Sequence, residues 1–144
     1  MSGKRVMVVG QATGRLGGRP WNGNTVCSLR LYRWLGVRDH AEFSRSCRAV
    51  NVARYAGRSG KGDAYEVDGG MVSTAMALCR DYDLVVLVGK VAQRAVMGVE
   101  EPRMLWKFGR FCGVPHPSGI NLQLNGGGDE RVKKAVRRWL RGLR

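Results

Sequence analysis

Leu84-Val85-Val86-Leu87-Val88 is an unbroken run of five apolar residues, followed at once by Gly89-Lys90. Successive side chains of a strand point to opposite faces, so a strand with one wet face alternates apolar and polar residues. A continuous run needs cover on both faces, which helices packed on the two sides of a parallel sheet supply. The stretch therefore reads as a central parallel strand, with a short helix over 91–97 behind it. Outward from it, residues 5–9 form another strand that ends in Gly10-Gln11-Ala12-Thr13-Gly14 and a basic, glycine-rich loop through Pro20. Residues 25–35 place Val26, Leu29, Leu31, Tyr32, Trp34 and Leu35 near helical spacing and stop at Gly36. A strand over 48–54 comes next, then a segment over 57–70 whose Gly, Ser and charged residues read as a mobile loop. A helix over 72–80, a strand over 111–114 and a closing helix over 129–143, with Val132, Ala135, Val136, Trp139 and Leu140 on one side, complete the pattern. The expected fold is α/β, with one domain over 1–144 and three layers, α/β/α, around a mostly parallel sheet of about four strands.

Composition narrows the partner. The 144 residues carry 25 Lys and Arg against 11 Asp and Glu, a formal net charge of +14. Solubility alone asks for a magnitude of roughly 2–8 in a small domain, so the excess favours a polyanion, with nucleic acid foremost. No apolar run approaches the length that spans a bilayer, and the N-terminus has no apolar signal region, so a cytoplasmic protein that avoids membranes is expected. Cys27, Cys47, Cys79 and Cys112 lie far apart with no CxxC pair, which makes them small buried hydrophobes in a reducing compartment and leaves no metal site to expect. Gly10, Gly14, Gly17 and Gly18 fit neither GxGxxG nor a phosphate loop with its Gly-Lys-Ser/Thr ending, and the separate Gly89-Lys90 pair runs into Val91 where Ser or Thr is required. His40 falls between expected elements and reads as a surface residue.

Parallel sheets bind ligands at the carboxyl ends of their strands. The loop after the first strand, Asn51 near the end of the second, and the turn His116-Pro117-Ser118-Gly119-Ile120-Asn121 all fall at that edge. Within that turn Ile120 alone is apolar and has no local partner, so it either folds back into the core or points outward.

Five segments occur in a fixed order: Gly10-Gln11-Ala12-Thr13-Gly14, Gly18-Arg19-Pro20-Trp21-Asn22-Gly23, Val50-Asn51-Val52, Leu87-Val88-Gly89 and His116-Pro117-Ser118. Together they resemble the ordered motifs of the uracil-DNA glycosylase superfamily. The likeness is strongest to the thermostable-type branch, family four, whose motifs read Gly-Glu-Ala-Pro-Gly, Gly-x-Pro-Phe-x-Gly, Thr-Asn-Val, Ala-Leu-Gly and His-Pro-Ser. It spans residues 6–121. The resemblance implies a uracil-DNA glycosylase-like domain that flips uracil or a modified pyrimidine out of single- or double-stranded DNA and hydrolyses its N-glycosidic bond, acting as a monomer without cofactor. By that resemblance Trp21 stacks on the extruded base, Asn51 reads its edge, and Ala12 lines the pocket. His116 stabilises the negative charge that develops on the base, and Gln11 handles the attacking water. Ser118 bonds a flanking phosphate, Ile120 is the wedge that fills the gap in the duplex, and Gly119, Asn121, Arg15 and Arg19 complete the DNA contact.

The departures matter as much. Gln11 stands where family four has Glu, and a carboxamide cannot accept a proton from water. Other branches handle the water with Asp or Asn one position later, which here is Ala12. Thr13 replaces Pro, and the iron-sulfur cysteines of family four have no counterparts, so no cluster is expected. Two alternatives therefore stand beside the glycosylase: a catalytically weak or inactive relative that binds DNA or a modified base, and a nucleotide binder that never engages a duplex.

Overall fold

A computed structural model describes residues 4–12, 21–23, 25–59, 62–98, 105–117 and 127–143. Seven strands and five α-helices are found among them, in the order β1 (Val6–Gly10), α1 (Val26–Leu35), α2 (His40–Ser46), β2 (Cys47–Asn51), β3 (Ala53–Ser59), β4 (Gly62–Val67), α3 (Gly69–Leu78), a 3-10 turn (Cys79–Asp81), β5 (Leu84–Val88), α4 (Gly89–Met97), β6 (Trp106–Phe108), β7 (Phe111–Val114) and α5 (Gly128–Arg141). Five strands form one sheet in the order β2-β1-β5-β7-β6, and only the β6–β7 pair is antiparallel. Every residue of β1 and β5 is buried, as their unbroken apolar runs require.

Alternate residues of these strands feed two cores. On one face Val6, Val8, Leu84, Val86 and Val88 meet Leu31, Trp34 and Leu35 of α1, Phe43 of α2, and Val132 and Val136 of α5. On the other, Met7, Val9, Val85 and Leu87 meet Ala75 of α3, Cys79 of the 3-10 turn and Ala92 of α4. The architecture is the expected three-layer α/β/α, mostly parallel, with five strands in place of about four because β6 supplies a short antiparallel edge. Trp34 is fully buried and its indole Nε1 donates to Asp129 Oδ1 at 2.6 Å, which ties α1 to the first turn of α5.

Local signals set the helix ends. Thr25 accepts from the Ser28 backbone N–H at 3.1 Å, and Gly36 takes the left-handed conformation that closes α1. Within α1, Leu31, Tyr32, Trp34 and Leu35 are buried, while Val26 and Leu29 are exposed. Asp68 caps α3 by accepting from the Met71 backbone N–H at 2.9 Å, so that helix starts before the expected residue 72.

Two expectations are corrected here. The strand read over 48–54 is two strands, because the chain leaves the sheet at Val52. The segment read as a mobile loop over 57–70 is largely the β3–β4 hairpin, paired from Ala53↔Val67 to Ser59↔Gly62, followed by the start of α3. Tyr55 and Tyr65 face each other across it with ring centroids 5.8 Å apart, a cross-strand aromatic pair that compensates for a turn-like composition. His40 is the first residue of α2, an element with no counterpart in the expected pattern.

Candidate functional site

Parallel pairing of β1 with β2 sets Gly10 opposite Asn51, at the carboxyl ends of both strands. The chain then turns under tight backbone control. The carbonyl of Gln11 accepts from the N–H groups of Val52 at 3.2 Å and Ala53 at 2.8 Å, and the Gly10 carbonyl also accepts from Val52 at 3.2 Å. The loop that carries Gln11 and Ala12 is thereby fixed to the exit from β2.

Gly10 lies against two candidate side chains at once. A β-carbon on it would sit 2.9 Å from Asn51 Oδ1 and 3.1 Å from Trp21 Cζ2, so only glycine allows both to pack this closely. From the other side, β7 leads through Val114 to His116, whose Cβ would lie 3.4 Å from a β-carbon on Gly89, the first residue after β5. The rings of Trp21 and His116 have centroids 6.3 Å apart and a 43° tilt. Four strand ends thus bring Trp21, Asn51 and His116 to one place.

Burial lowers the pKa of His116 below its ordinary value, because desolvation disfavours the imidazolium. The ring is accordingly neutral at neutral pH, able to donate one hydrogen bond while contributing no cationic charge. Trp21 is half-buried and holds a left-handed backbone conformation, φ 55°, an uncommon state for a residue with a side chain. Its indole Nε1 is buried with no acceptor among the described residues.

The backbone of Trp21 is held by a relay. Its carbonyl accepts from the Tyr32 hydroxyl and from His40 Nδ1, the latter at 3.1 Å. A carbonyl only accepts, so in the neutral ring Nδ1 carries the hydrogen, and Nε2 accepts from Ser44 Oγ at 3.2 Å. Burial first, then the nearby Asp39 and Cys47, push the Tyr32 hydroxyl up to about 12, which keeps it a donor. His40 is therefore corrected from a surface residue to a half-buried one that positions Trp21. Sequence reading missed Tyr32 and His40 as site residues because their link to Trp21 runs through a main-chain oxygen, which leaves no side-chain signature.

Arg15, Arg19, Ser118, Gly119, Ile120 and Asn121 lie outside the described residues, as do Thr13 and Gly18. Among the described residues no group of three or more His, Cys, Asp or Glu side chains is arranged to hold a metal ion. Cys47, Cys79 and Cys112 are buried, Cys27 is partly so, and all four are free thiols. Burial pushes Cys47 and Cys112 up to about 12, which leaves them unreactive at neutral pH. No helix among the described residues is long and apolar enough to cross a membrane. A groove of about 620 Å³ lies elsewhere, beside Met76, Arg80 and Phe111. Its Arg110 guanidinium is committed to the carbonyls of Cys79 and Arg80, at 3.2 and 3.1 Å.

The carboxyl edge of the five-stranded α/β sheet thus gathers an indole, a carboxamide and a neutral imidazole around two glycines. A search of curated proteins finds no match. The family model of the uracil DNA glycosylase superfamily matches residues 2–141, nearly the whole chain. The chain belongs to the uracil-DNA glycosylase superfamily, whose general role is that of a DNA glycosylase.

Proposed function

We propose that this chain is a DNA glycosylase that draws uracil or a modified pyrimidine out of DNA and hydrolyses its N-glycosidic bond in the pocket bounded by Trp21, Asn51 and His116. The observation that carries the reading is the packing of Asn51 and Trp21 on Gly10, with the His116 ring 6.3 Å from the indole. In this reading Asn51 offers the base edge a donor and an acceptor, and Trp21 gives it a flat wall. As the bond from C1′ to the base nitrogen breaks, the electron pair leaves with the base, and the neutral His116 ring donates a hydrogen bond to the oxygen where negative charge collects. Water then adds to the oxocarbenium-like sugar carbon and loses its proton to solvent. Gln11 orients that water by hydrogen bonding, and Ala12 lines the pocket. Such a dissociative path asks more of positioning than of a strong base.

The likeness to family four supports the same assignments and marks the difference at Gln11, where that branch has Glu. Ser118, Gly119, Ile120 and Asn121, with Arg15 and Arg19, make the DNA contact in this proposal. The substitution at Gln11 favours one second reading, a relative that binds the base and does not release it.

Abasic-site formation on oligonucleotides tests the proposal, with uracil in single strands, in U·G and U·A pairs, and with a panel of modified pyrimidines. Wild type is expected to produce abasic product from at least one substrate, and His116→Ala to lose far more activity than Gln11→Ala. Tight binding with no product from any substrate would overturn the catalytic reading in favour of the silent relative. Binding to free nucleotide that ignores salt would favour the nucleotide binder.

A further inference from the structure

Helix α5 carries six basic residues, and the fold sorts them into two sets. Lys133 turns toward Glu130, 3.6 Å away, and Arg137 donates from Nη2 to the Arg33 carbonyl at 2.8 Å. Arg131, Lys134, Arg138 and Arg141 are all exposed, and among the described residues none of their side chains has an ion-pair partner. At about 100° per residue these four fall within an arc of about 80° on one side of the helix. The opposite side is committed to the core through Val132, Ala135 and Val136.

Four like charges spaced three and four residues apart repel one another and weaken the helix. A merely solvated face intersperses both signs and avoids that cost. The macrodipole compensates only near the C-terminus, at Arg138 and Arg141. From residue 131 to 141 the stripe runs about 15 Å at 1.5 Å per residue. A DNA strand advances about 3.4 Å per phosphate along its axis, so the stripe matches the axial reach of roughly four successive phosphates.

We propose that Arg131, Lys134, Arg138 and Arg141 form a sequence-independent seat for a DNA phosphate backbone, separate from the base pocket. The inference rests on DNA being the partner and does not depend on base release. Each phosphate neutralised lowers the slope of log K against log salt by about 0.9, so the full stripe contributes about 3 to 4 to that slope.

The test measures the affinity of the full chain for plain duplex, without uracil or a modified base, across a range of salt concentrations. The stripe variant is R131Q/K134Q/R138Q/R141Q, and R45Q/R48Q/R80Q/K107Q removes the same charge from exposed positions elsewhere. Circular dichroism checks that α5 stays folded, which relief of repulsion favours. The stripe variant is expected to flatten the salt slope by about 3 to 4, the control to change it by less than one unit, and His116→Ala to leave it unchanged. An unchanged slope in the stripe variant, equal flattening in both variants, or a wild type that does not bind duplex would overturn the seat. A chain that releases no base and still shows the selective flattening loses the catalytic reading alone.

Discussion

The indole of Trp21 and the imidazole of His116 stand 6.3 Å apart between centroids, tilted by 43°, and so form a V and not a slot. Sandwiching a base between parallel rings needs about twice the 3.4 Å stacking rise. In the proposed reading, a base would therefore lie against one wall, with the other group meeting its edge. Trp21→Ala removes the wall and is expected to cost on the order of 1–3 kcal/mol of affinity for the flipped base. Trp21→Phe keeps a flat face and is expected to retain most of it. Titrating each variant with oligonucleotides that carry or lack the target base measures this, and equal losses for Ala and Phe would sink the stacking role.

His116 gives the chain an acid-side liability. Its pKa in the folded chain is below the ordinary 6.5 because burial opposes protonation. As pH drops through about 6.5 the unfolded chain takes up a proton that the folded chain refuses, so stability falls from there toward the depressed folded value and levels off beneath it. Denaturation midpoints between pH 8 and 5 should decline more for wild type than for His116→Gln, and parallel declines would contradict the assignment. Because the ring is already neutral above 6.5, His116 should add no inflection to the activity profile between pH 7 and 8.

Gln11 offers a gain-of-function test. Its backbone is fixed by Val52 and Ala53, so a change of side chain leaves the loop in place. Gln11→Glu restores a proton acceptor, and general-base assistance typically contributes about 10²-fold or more. Base release measured in single turnovers should rise by up to about that factor. No rise would mean that water is handled by some other group.

Tyr32 is expected to act as a positioning residue. Tyr32→Phe removes one hydrogen bond to the Trp21 carbonyl, worth about 0.5–1.5 kcal/mol, or roughly two- to thirteenfold in base affinity. His40→Ala is expected to act in the same direction through the same carbonyl. Affinity for plain duplex is the discriminating readout, since a general loss of folding would lower it as well, whereas loosening Trp21 leaves it unchanged.

Gly113 reports on the antiparallel edge. A β-carbon there would overlap the Trp106 indole nitrogen and lie 2.8 Å from Gln93 Cδ. Those two groups hydrogen-bond at 2.9 Å, and Gln93 Nε2 donates to the Val114 carbonyl at 3.2 Å, which satisfies a buried carboxamide. Gly113→Ala should destabilise by about 1–3 kcal/mol in denaturant titration, as overpacking does. A neutral outcome would show that β6 yields freely.

The two central strands were legible because runs of four apolar residues in β1 and five in β5 call for burial on both faces, and β5 and β7 start and stop where the sequence placed them. The loop after β1, Asn51 at the end of β2 and the His116 turn were legible as neighbours, since a parallel sheet brings the carboxyl ends of its strands to one edge, whereas Trp21 was placed with them only through the family resemblance. The hairpin was not legible. Its glycines and charges look like a loop, and what orders it is a backbone ladder and a tyrosine pair 5.8 Å apart, which depend on register that composition does not encode. Helix α2 was hidden for a related reason, because only Phe43 of its seven residues is buried and a single apolar anchor has no period.

The clamp between the Gln11 carbonyl and the N–H groups of Val52 and Ala53 is made wholly of peptide groups. Side chains at positions 11 and 12 can therefore be exchanged without moving the backbone they stand on. Under the proposed function, base preference would then be open to change by single substitutions while the frame around it stays constant.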